Sequence, residues 1–338
     1  MEAGRKDQIS RMRIILYGIG KRYLQLFDDD RFEMWLKNRV EIIGFADGDN
    51  AVWGKEIFYE ERIYKIKGIE SFCRKEYESI LITSKKNFES IKAELVTKGY
   101  ESKNILIIDR FIELYLDEIY NIKYFNKKTG IEIGGPSELF TGIYSKCTRC
   151  DGVNFSIHTV WCENIDNEYK YKDMVMGNMF IADATDMSRI EDEKYDFVLS
   201  SNNLEHIANP IKALKEFVRL VKWGGVVLII VPMKEKTFDH DREYTTFNHL
   251  LEDYLNDVRE DDLTHLSEII EKHDYDMNIS CGGKEKFIER AKKNVENRCL
   301  HHHVFAENGL KEMFKFVGLK VLNFTGLWNN WLIMGQKQ

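Results

Sequence analysis

Apolar residues along this chain come in short, nearly unbroken runs, each ending in a polar, acidic or glycine-rich turn. Met12-Arg13-Ile14-Ile15-Leu16-Tyr17 runs into Gly18-Ile19-Gly20, and Val40 to Ala46 runs into Asp47. Ser79 to Thr83 and Asn104 to Asp109 are two more runs, with a helical stretch from Phe88 to Lys98 between them, closed by Gly99. Continuous apolar runs alternating with amphipathic segments predict parallel strands with helices on both faces. The same rhythm restarts after the polar junction Asn126 to Gly130. Ile131-Glu132-Ile133 ends in Gly134-Gly135-Pro136-Ser137, where glycine permits a sharp turn and a ligand's close approach, and Ser137 is placed to cap the next helix. Further strands are expected over Arg149 to Ser156, Met179 to Ala182 and Tyr195 to Ser201. Pro210 opens a helix with apolar residues at Ile211, Leu214, Phe217, Val218 and Val221, and Trp223-Gly224-Gly225 reads as its glycine cap. Val226 to Pro232 is a fifth, buried strand, and two closing strands, Leu319 to Phe324 and Asn330 to Met334, suggest a hairpin.

The expected fold class is therefore α/β, with two doubly wound Rossmann-like domains over residues 1–124 and 125–338. A helical insert on the substrate side, about residues 233–305, follows the fifth strand of the second domain. The length of 338 residues suits two domains. Hydrophobic residues make up 43% and charged residues 31%, which favours a packed core over disorder. A net charge of -7 argues against a nucleic-acid partner. No apolar run reaches the ~18 residues of a membrane span, and Met1 to Lys6 lacks a signal core, so a cytoplasmic address is expected. The six cysteines are scattered, and we read them as reduced. Cys147 and Cys150 have CxxC spacing with Cys162 beyond, but no second pair completes a zinc site, so no metal is assigned to them.

In the first domain the glycine loop is incomplete, because Tyr23 stands where a dinucleotide fingerprint has a third glycine. Asp47 stands near the position of a ribose-binding acid. Two readings stay open there: a nucleotide or nucleotide-sugar pocket, or a scaffold whose loop merely turns. The Tyr17-Gly18-Ile19-Gly20-Lys21 and Gly44-Phe45-Ala46-Asp47-Gly48-Asp49 stretches resemble small Rossmann-like domains found beside sugar-modifying enzymes of bacterial polysaccharide pathways.

In the second domain polar residues stand at the strands' carboxyl ends, where open parallel sheets bind ligands. Asn154 follows Glu132 by about twenty residues, near the spacing of a ribose-contacting residue. Glu132 to Ser137, Asp183-Ala184-Thr185, Tyr195 to Ser201, Leu204-Glu205-His206 and Trp223-Gly224-Gly225 together resemble class I S-adenosylmethionine-dependent methyltransferases of the type 11-like kind. That resemblance implies S-adenosyl-L-methionine as cofactor. It implies that Glu132, Gly134, Gly135 and Pro136 hold the methionine end. Asn154 would take the ribose, where many members carry an acid. Asp183 and Ala184 would meet the adenine. Ser200, Ser201 and Glu205 would border the transferred methyl.

The insert is rich in ionisable groups. Its Phe238-Asp239-His240, His249 to Asp253, Glu260 to His265 and His302-His303-Val304-Phe305 stretches resemble those of a group of bacterial methyltransferases with unassigned substrates. Methyl transfer is an in-line displacement in which the enzyme supplies positioning, and a hydroxyl acceptor also needs a base. His240 is the first candidate, followed by His265, His249 and His302. Arg242 is suited to an anionic group on the acceptor. A competing reading has histidines with Asp239, Asp241, Asp261 and Asp262 around a divalent ion, but no tight ligand spacing marks one. The expected activity is methylation of an oxygen, with a nitrogen as the alternative, on a sugar, nucleotide-sugar or other small polar acceptor; whether the chain forms a homo-oligomer stays open. A non-catalytic scaffold in a polysaccharide pathway is the alternative, and a nicotinamide-dependent oxidoreductase is a third reading that Tyr23 opposes.

Overall fold

The computed structural model describes residues 11–161 and 166–338, so the run Met1 to Lys6 and Cys162 lie outside the described residues. The chain divides into two compact units, Met1–Glu118 and Ile119–Gln338.

In the first unit, β1 (Met12–Tyr17), β2 (Val40–Ala46), β5 (Ser79–Ile82) and β6 (Ile105–Ile107) form a parallel sheet in the order β2-β1-β5-β6. Ile14, Ile15 and Leu16 are all fully buried, as a strand covered on both faces requires. The helix Asp30–Lys37 starts at Asp29, whose carboxylate accepts from the amides of Arg31 and Phe32. The hairpin of β3 (Glu56–Tyr59) and β4 (Arg62–Lys65) was not expected from the sequence. Its alternation is weak because Phe58 and Ile63 are exposed.

The second unit is built on β7 (Thr129–Ile133), β8 (Arg149–Asn154), β9 (Glu168–Tyr171), β10 (Met174–Ile181), β11 (Tyr195–Ser201), β12 (Val221–Pro232), β13 (Leu319–Leu327) and β14 (Asn330–Lys337). Their order is β13-β14-β12-β11-β7-β8-β10-β9. The five central strands β10, β8, β7, β11 and β12 are parallel, β14 is antiparallel to β12, and β9 adds an antiparallel edge to β10. The chain leaves β7 toward β8 on one side and returns to β11 on the other. A crevice opens at such a reversal, at the carboxyl ends of the strands. The Leu319–Leu327 and Asn330–Lys337 pair is the expected hairpin.

Asn209 caps the helix Pro210–Leu220 by accepting from the Lys212 amide at 3.1 Å. That helix buries Ile211, Leu214, Phe217 and Leu220 in the main core, together with Val198, Val227 and Ile229 of the sheet. The Trp223-Gly224-Gly225 cap is a correction. The helix ends at Leu220, and Val221 already pairs with Tyr195 in β12. Gly224 takes a φ of +75° inside a bulge, across which the pairing jumps to Phe197 with Val226.

The insert is helical as expected, with helices Phe247–Leu255, Leu266–Lys272 and Lys284–Ala291. Ile269, Cys281, Phe287, Ala291 and Leu300 give it a small core of its own. Among the described residues no helix is long and apolar enough to cross a membrane.

Gly130 of β7 lies opposite Phe197 of β11, and a Cβ there would stand 1.9 Å from the Phe197 ring. Gly130→Ala is therefore expected to lower stability by roughly 1–3 kcal/mol, read as a shift of the urea unfolding midpoint.

Candidate functional site

A cavity of about 340 Å³ opens where the central strands end, within the ~300–1,000 Å³ span of small-molecule sites. Four loops form it. Gly134, Gly135 and Pro136 follow β7, Asn154 ends β8 and Phe155 follows it, Ala182, Asp183 and Ala184 follow β10, and Asn202 and Asn203 follow β11. Trp161, His206, Glu260 and Arg298 complete its wall.

The glycine loop is shaped from beneath. Glu132 is fully buried and accepts hydrogen bonds from the Tyr169 hydroxyl at 2.6 Å, the Tyr144 hydroxyl at 2.5 Å and the Ser137 amide at 3.1 Å. A Cβ on Gly135 would stand 2.2 Å from the Glu132 carboxylate, so only glycine lets the loop lie this close. Gly134 has a φ of +80°, and a Cβ on it would meet Asn203 at 2.5 Å. Glu132 is thus under the loop rather than on the cavity wall. Ser137 caps, through its hydroxyl and the Leu139 amide, only the turn Glu138–Phe140, which the one-turn helix Thr141–Tyr144 follows. Burial pushes the Glu132 carboxyl up to about 7, against the lowering effect of its three donors.

The other cofactor candidates divide. Asn154, Asp183 and Ala184 line the cavity beside the glycine loop. Ser200, Ser201 and Glu205 are buried and do not line it. The Ser200 hydroxyl donates to the Ile133 carbonyl at 3.1 Å and accepts from Asn203 at 3.2 Å, which ties β11 to the glycine loop. Asp183 is already engaged. One of its oxygens accepts from the Thr185 amide and hydroxyl, and the other pairs with Arg298 at 2.9 Å. Arg298 also reaches Glu260 at 3.0 Å and lies over the Phe155 ring. Burial works against the Asp183 charge, but the Thr185 and Arg298 contacts hold its carboxyl below the usual range.

The five residues picked as catalytic from the sequence all lie off the cavity wall. His240 is tied to Asp274 at 2.9 Å and Asp241 at 3.2 Å. His249 and His265 face one another, their Nε2 atoms 2.9 Å apart. His302 contacts Asn294 at 2.9 Å and Glu260 at 3.3 Å. Arg242 is buried, donating to Asp239 at 3.1 Å and to the carbonyls of His301 and His302. Its guanidinium is spent on the fold, not free for an acceptor.

The histidine that reaches the cavity is His206. Its Nδ1 stands 3.1 Å from the Leu300 carbonyl, and its ring meets His301 edge-on at 4.5 Å. His301 Nδ1 contacts Asp239 at 2.5 Å. Ligand-type atoms of Glu205, His206 and His301 lie within 4.8 Å of one another. Burial, then the neighbouring His301, push His206 well below its usual value, so it is neutral near pH 7. Burial opposes charge on His301 too, but the Asp239 charge and hydrogen bond reverse this and raise it. Burial pushes Glu205 up to about 7, with His301 opposing. The sequence placed His206 beside Glu205 at a strand end, but it gave no sign that His301 and Trp161 would meet its ring or that Arg298 would share the cavity wall with it. Only tertiary folding joins them.

In the first unit Asp47 is used locally. It accepts from the Ile19 amide at 2.7 Å and the Asp49 amide at 2.9 Å, lacing two loops together. Cys147 and Cys150 are free, with Cys150 buried, and burial raises both thiols.

Residues 131–229 match the family model of a methyltransferase domain, and residues 10–106 match that of the C2185-like N-terminal domain. No curated protein matches the chain. Among solved structures, a SAM-dependent methyltransferase from Aquifex aeolicus is similar at 11% identity and a TM-score of 0.38, over 66% of this chain and 88% of that one. An O-methyltransferase family protein from Burkholderia thailandensis is similar at 13% identity and a TM-score of 0.38, over 68% of this chain and 57% of that one. The match to a methyltransferase domain thus falls within the second unit. The cofactor that such a domain implies is S-adenosylmethionine. The glycine cradle, which a Cβ would fill, and the polar strand ends around it fit that group.

Glu132 binds its proton more tightly in the folded chain than in the unfolded one. Its contribution to stability is fully present below about pH 4.5 and is lost as pH rises through about 7. Glu132→Gln is expected to abolish this loss, up to about 1.4 kcal/mol per pH unit. Urea unfolding at about pH 5 and about pH 7.5 reads it, wild type losing more stability between the two than the variant.

Proposed function

We propose that this chain transfers a methyl group from S-adenosylmethionine to an oxygen of a small polar acceptor, of which a sugar or nucleotide-sugar is the type to test first. The observation that carries the reading is the cavity at the sheet's reversal point, floored by the glycine loop and walled by a neutral histidine. Bound there, the cofactor supplies an electrophilic methyl on a sulfonium. Gly134 and Gly135, beside Pro136, give its methionine end a surface of bare backbone, and the Asn154 amide is suited to ribose hydroxyls.

His206 is the base in this reading, in place of His240. With Nδ1–H given to the Leu300 carbonyl, Nε2 keeps the lone pair that takes the acceptor's hydroxyl proton. The positive charge that then forms on the ring is met by Glu205, whose Oε2 has no hydrogen-bond partner. Asp239 and Arg242 hold His301 in place behind it. The first unit's domain type motivates the carbohydrate acceptor by analogy alone, and the address expected from the sequence is the cytoplasm.

The scaffold reading keeps one observation in its favour, the Arg298 guanidinium on the Asp183 carboxylate where an adenine amino group would bind. Calorimetry with S-adenosylmethionine separates the two readings. Saturable binding is expected, weakened roughly tenfold in Asn154→Ala by loss of one hydrogen bond. A folded protein that gives no binding heat sinks the enzyme reading. With labelled cofactor and a panel of sugars, His206→Ala is expected to lose ~10²–10⁴-fold in turnover while cofactor affinity stays within a few-fold.

A further inference from the structure

Away from that cavity, three parts of the chain bring metal-ligating side chains to one spot. His249 and Asp253 stand one turn apart on the helix Phe247–Leu255, which places both on one face. His303 arrives from the stretch that leads to the helix Glu307–Phe316. Ligand-type atoms of these three all lie within 4.8 Å of one another. His249 Nε2 is 3.4 Å from Asp253 Oδ2. Two donors each ~2.0–2.1 Å from a tetrahedral zinc ion sit about 3.3 Å apart, so His249 and Asp253 already stand at ligand spacing. His265, at the start of the helix Leu266–Lys272, adds a further imidazole, its Nε2 2.9 Å from that of His249.

Two observations indicate that protein contacts alone do not satisfy this group. Asp253 Oδ2 is buried with no hydrogen-bond partner, and so is His303 Nδ1. A buried carboxylate oxygen without a hydrogen-bond donor is costly unless a cation or a proton meets it. The other nitrogen of His303 stands 3.1 Å from the Ala208 carbonyl. One ring nitrogen thus answers a carbonyl while the other is left over, the usual arrangement of a metal-bound imidazole.

We propose that His249, Asp253 and His303, with His265 as fourth donor, bind a divalent transition-metal ion of the zinc type. Three imidazoles and one carboxylate are borderline ligands that suit zinc, cobalt or nickel rather than calcium or magnesium. The ion's role is structural. It clamps two insert helices to the His303 stretch, which runs beside the Ala208 backbone next to the cofactor cavity. This inference is independent of cofactor binding.

The test uses the full chain stripped with chelator, its fold checked by circular dichroism, and titrated with zinc sulfate. About one ion per chain is expected, with a rise in melting temperature and, on cobalt substitution, the strong visible bands of a tetrahedral site. His249→Ala, at a partly exposed position, and Asp253→Asn should each weaken binding roughly tenfold or more. His301→Asn, which alters the separate Glu205–His206–His301 group, should leave it unchanged. Failure of the folded wild-type chain to bind zinc overturns the proposal. So does binding that survives His249→Ala and is lost in His301→Asn, because the ion would then sit at the other group.

Discussion

The arrangement on which the rest of the second unit depends is a carboxyl group buried beneath a glycine loop. Glu132 leaves water completely, a transfer that costs several kcal/mol unless donors replace the solvent. Three do: two tyrosine hydroxyls and one backbone amide. Each donor imposes a demand elsewhere. Tyr169 can reach in only because Gly152 has no side chain, since a Cβ there would stand 2.2 Å from the Tyr169 ring. Tyr144 is delivered by the one-turn helix after the loop, and the Ser137 amide fixes where that turn begins. Gly135 must then be glycine, because the loop lies directly on the carboxylate. Two glycines, two tyrosines and an acid, drawn from three strands, the glycine loop and a one-turn helix, thus form one unit whose outer surface is the cavity floor.

A second buried charge group organises the insert. Arg242 binds Asp239 and two successive carbonyls, and Asp239 binds His301. Removing one member of a buried pair leaves the other uncompensated, which typically costs 3–5 kcal/mol. The three adjacent histidines are shared out among different partners by this grip. His301 goes to Asp239, His302 to Glu260 and Asn294, and His303 to the Ala208 carbonyl. The aromatic and acidic stretch after the fifth strand therefore acts first by holding histidines, not by meeting an acceptor itself.

These two groups explain what could be read from the sequence. Strand runs ending in glycine or acid were legible because parallel strands buried on both faces must be continuously apolar, and the loops at their ends must carry the polar groups. Asn154 and Asp183 were legible for that reason. Glu132 was legible as an important acid but not as a buried one, because the tyrosines that enclose it lie 12 and 37 residues away. Among the insert's histidines residue type alone could not separate roles. His240 and His301 look alike in sequence, yet one is a third exposed and the other sits beside the cavity wall. That difference comes from contacts across 62 residues, between Asp239 and His301, which no local pattern encodes.

Arg298 shows why the insert cannot be treated as a substrate-side appendage. It reaches from the insert into the cavity and joins Asp183, at the end of β10, to Glu260. Glu260 in turn accepts from the Ala208 amide and meets His302, so it ties the cavity wall to the histidine stretch. In the proposed cofactor pose, an adenine amino group at Asp183 would share that carboxylate with a guanidinium or displace it. Sharing is open, because each carboxylate oxygen has more than one acceptor direction, and the Phe155 ring under Arg298 gives the cation a second hold. Arg298 thus ties the Asp183 end of the cavity to Glu260 of the insert. An arginine placed between two acids makes one end of the cavity and the segment that walls the other parts of a single charge network.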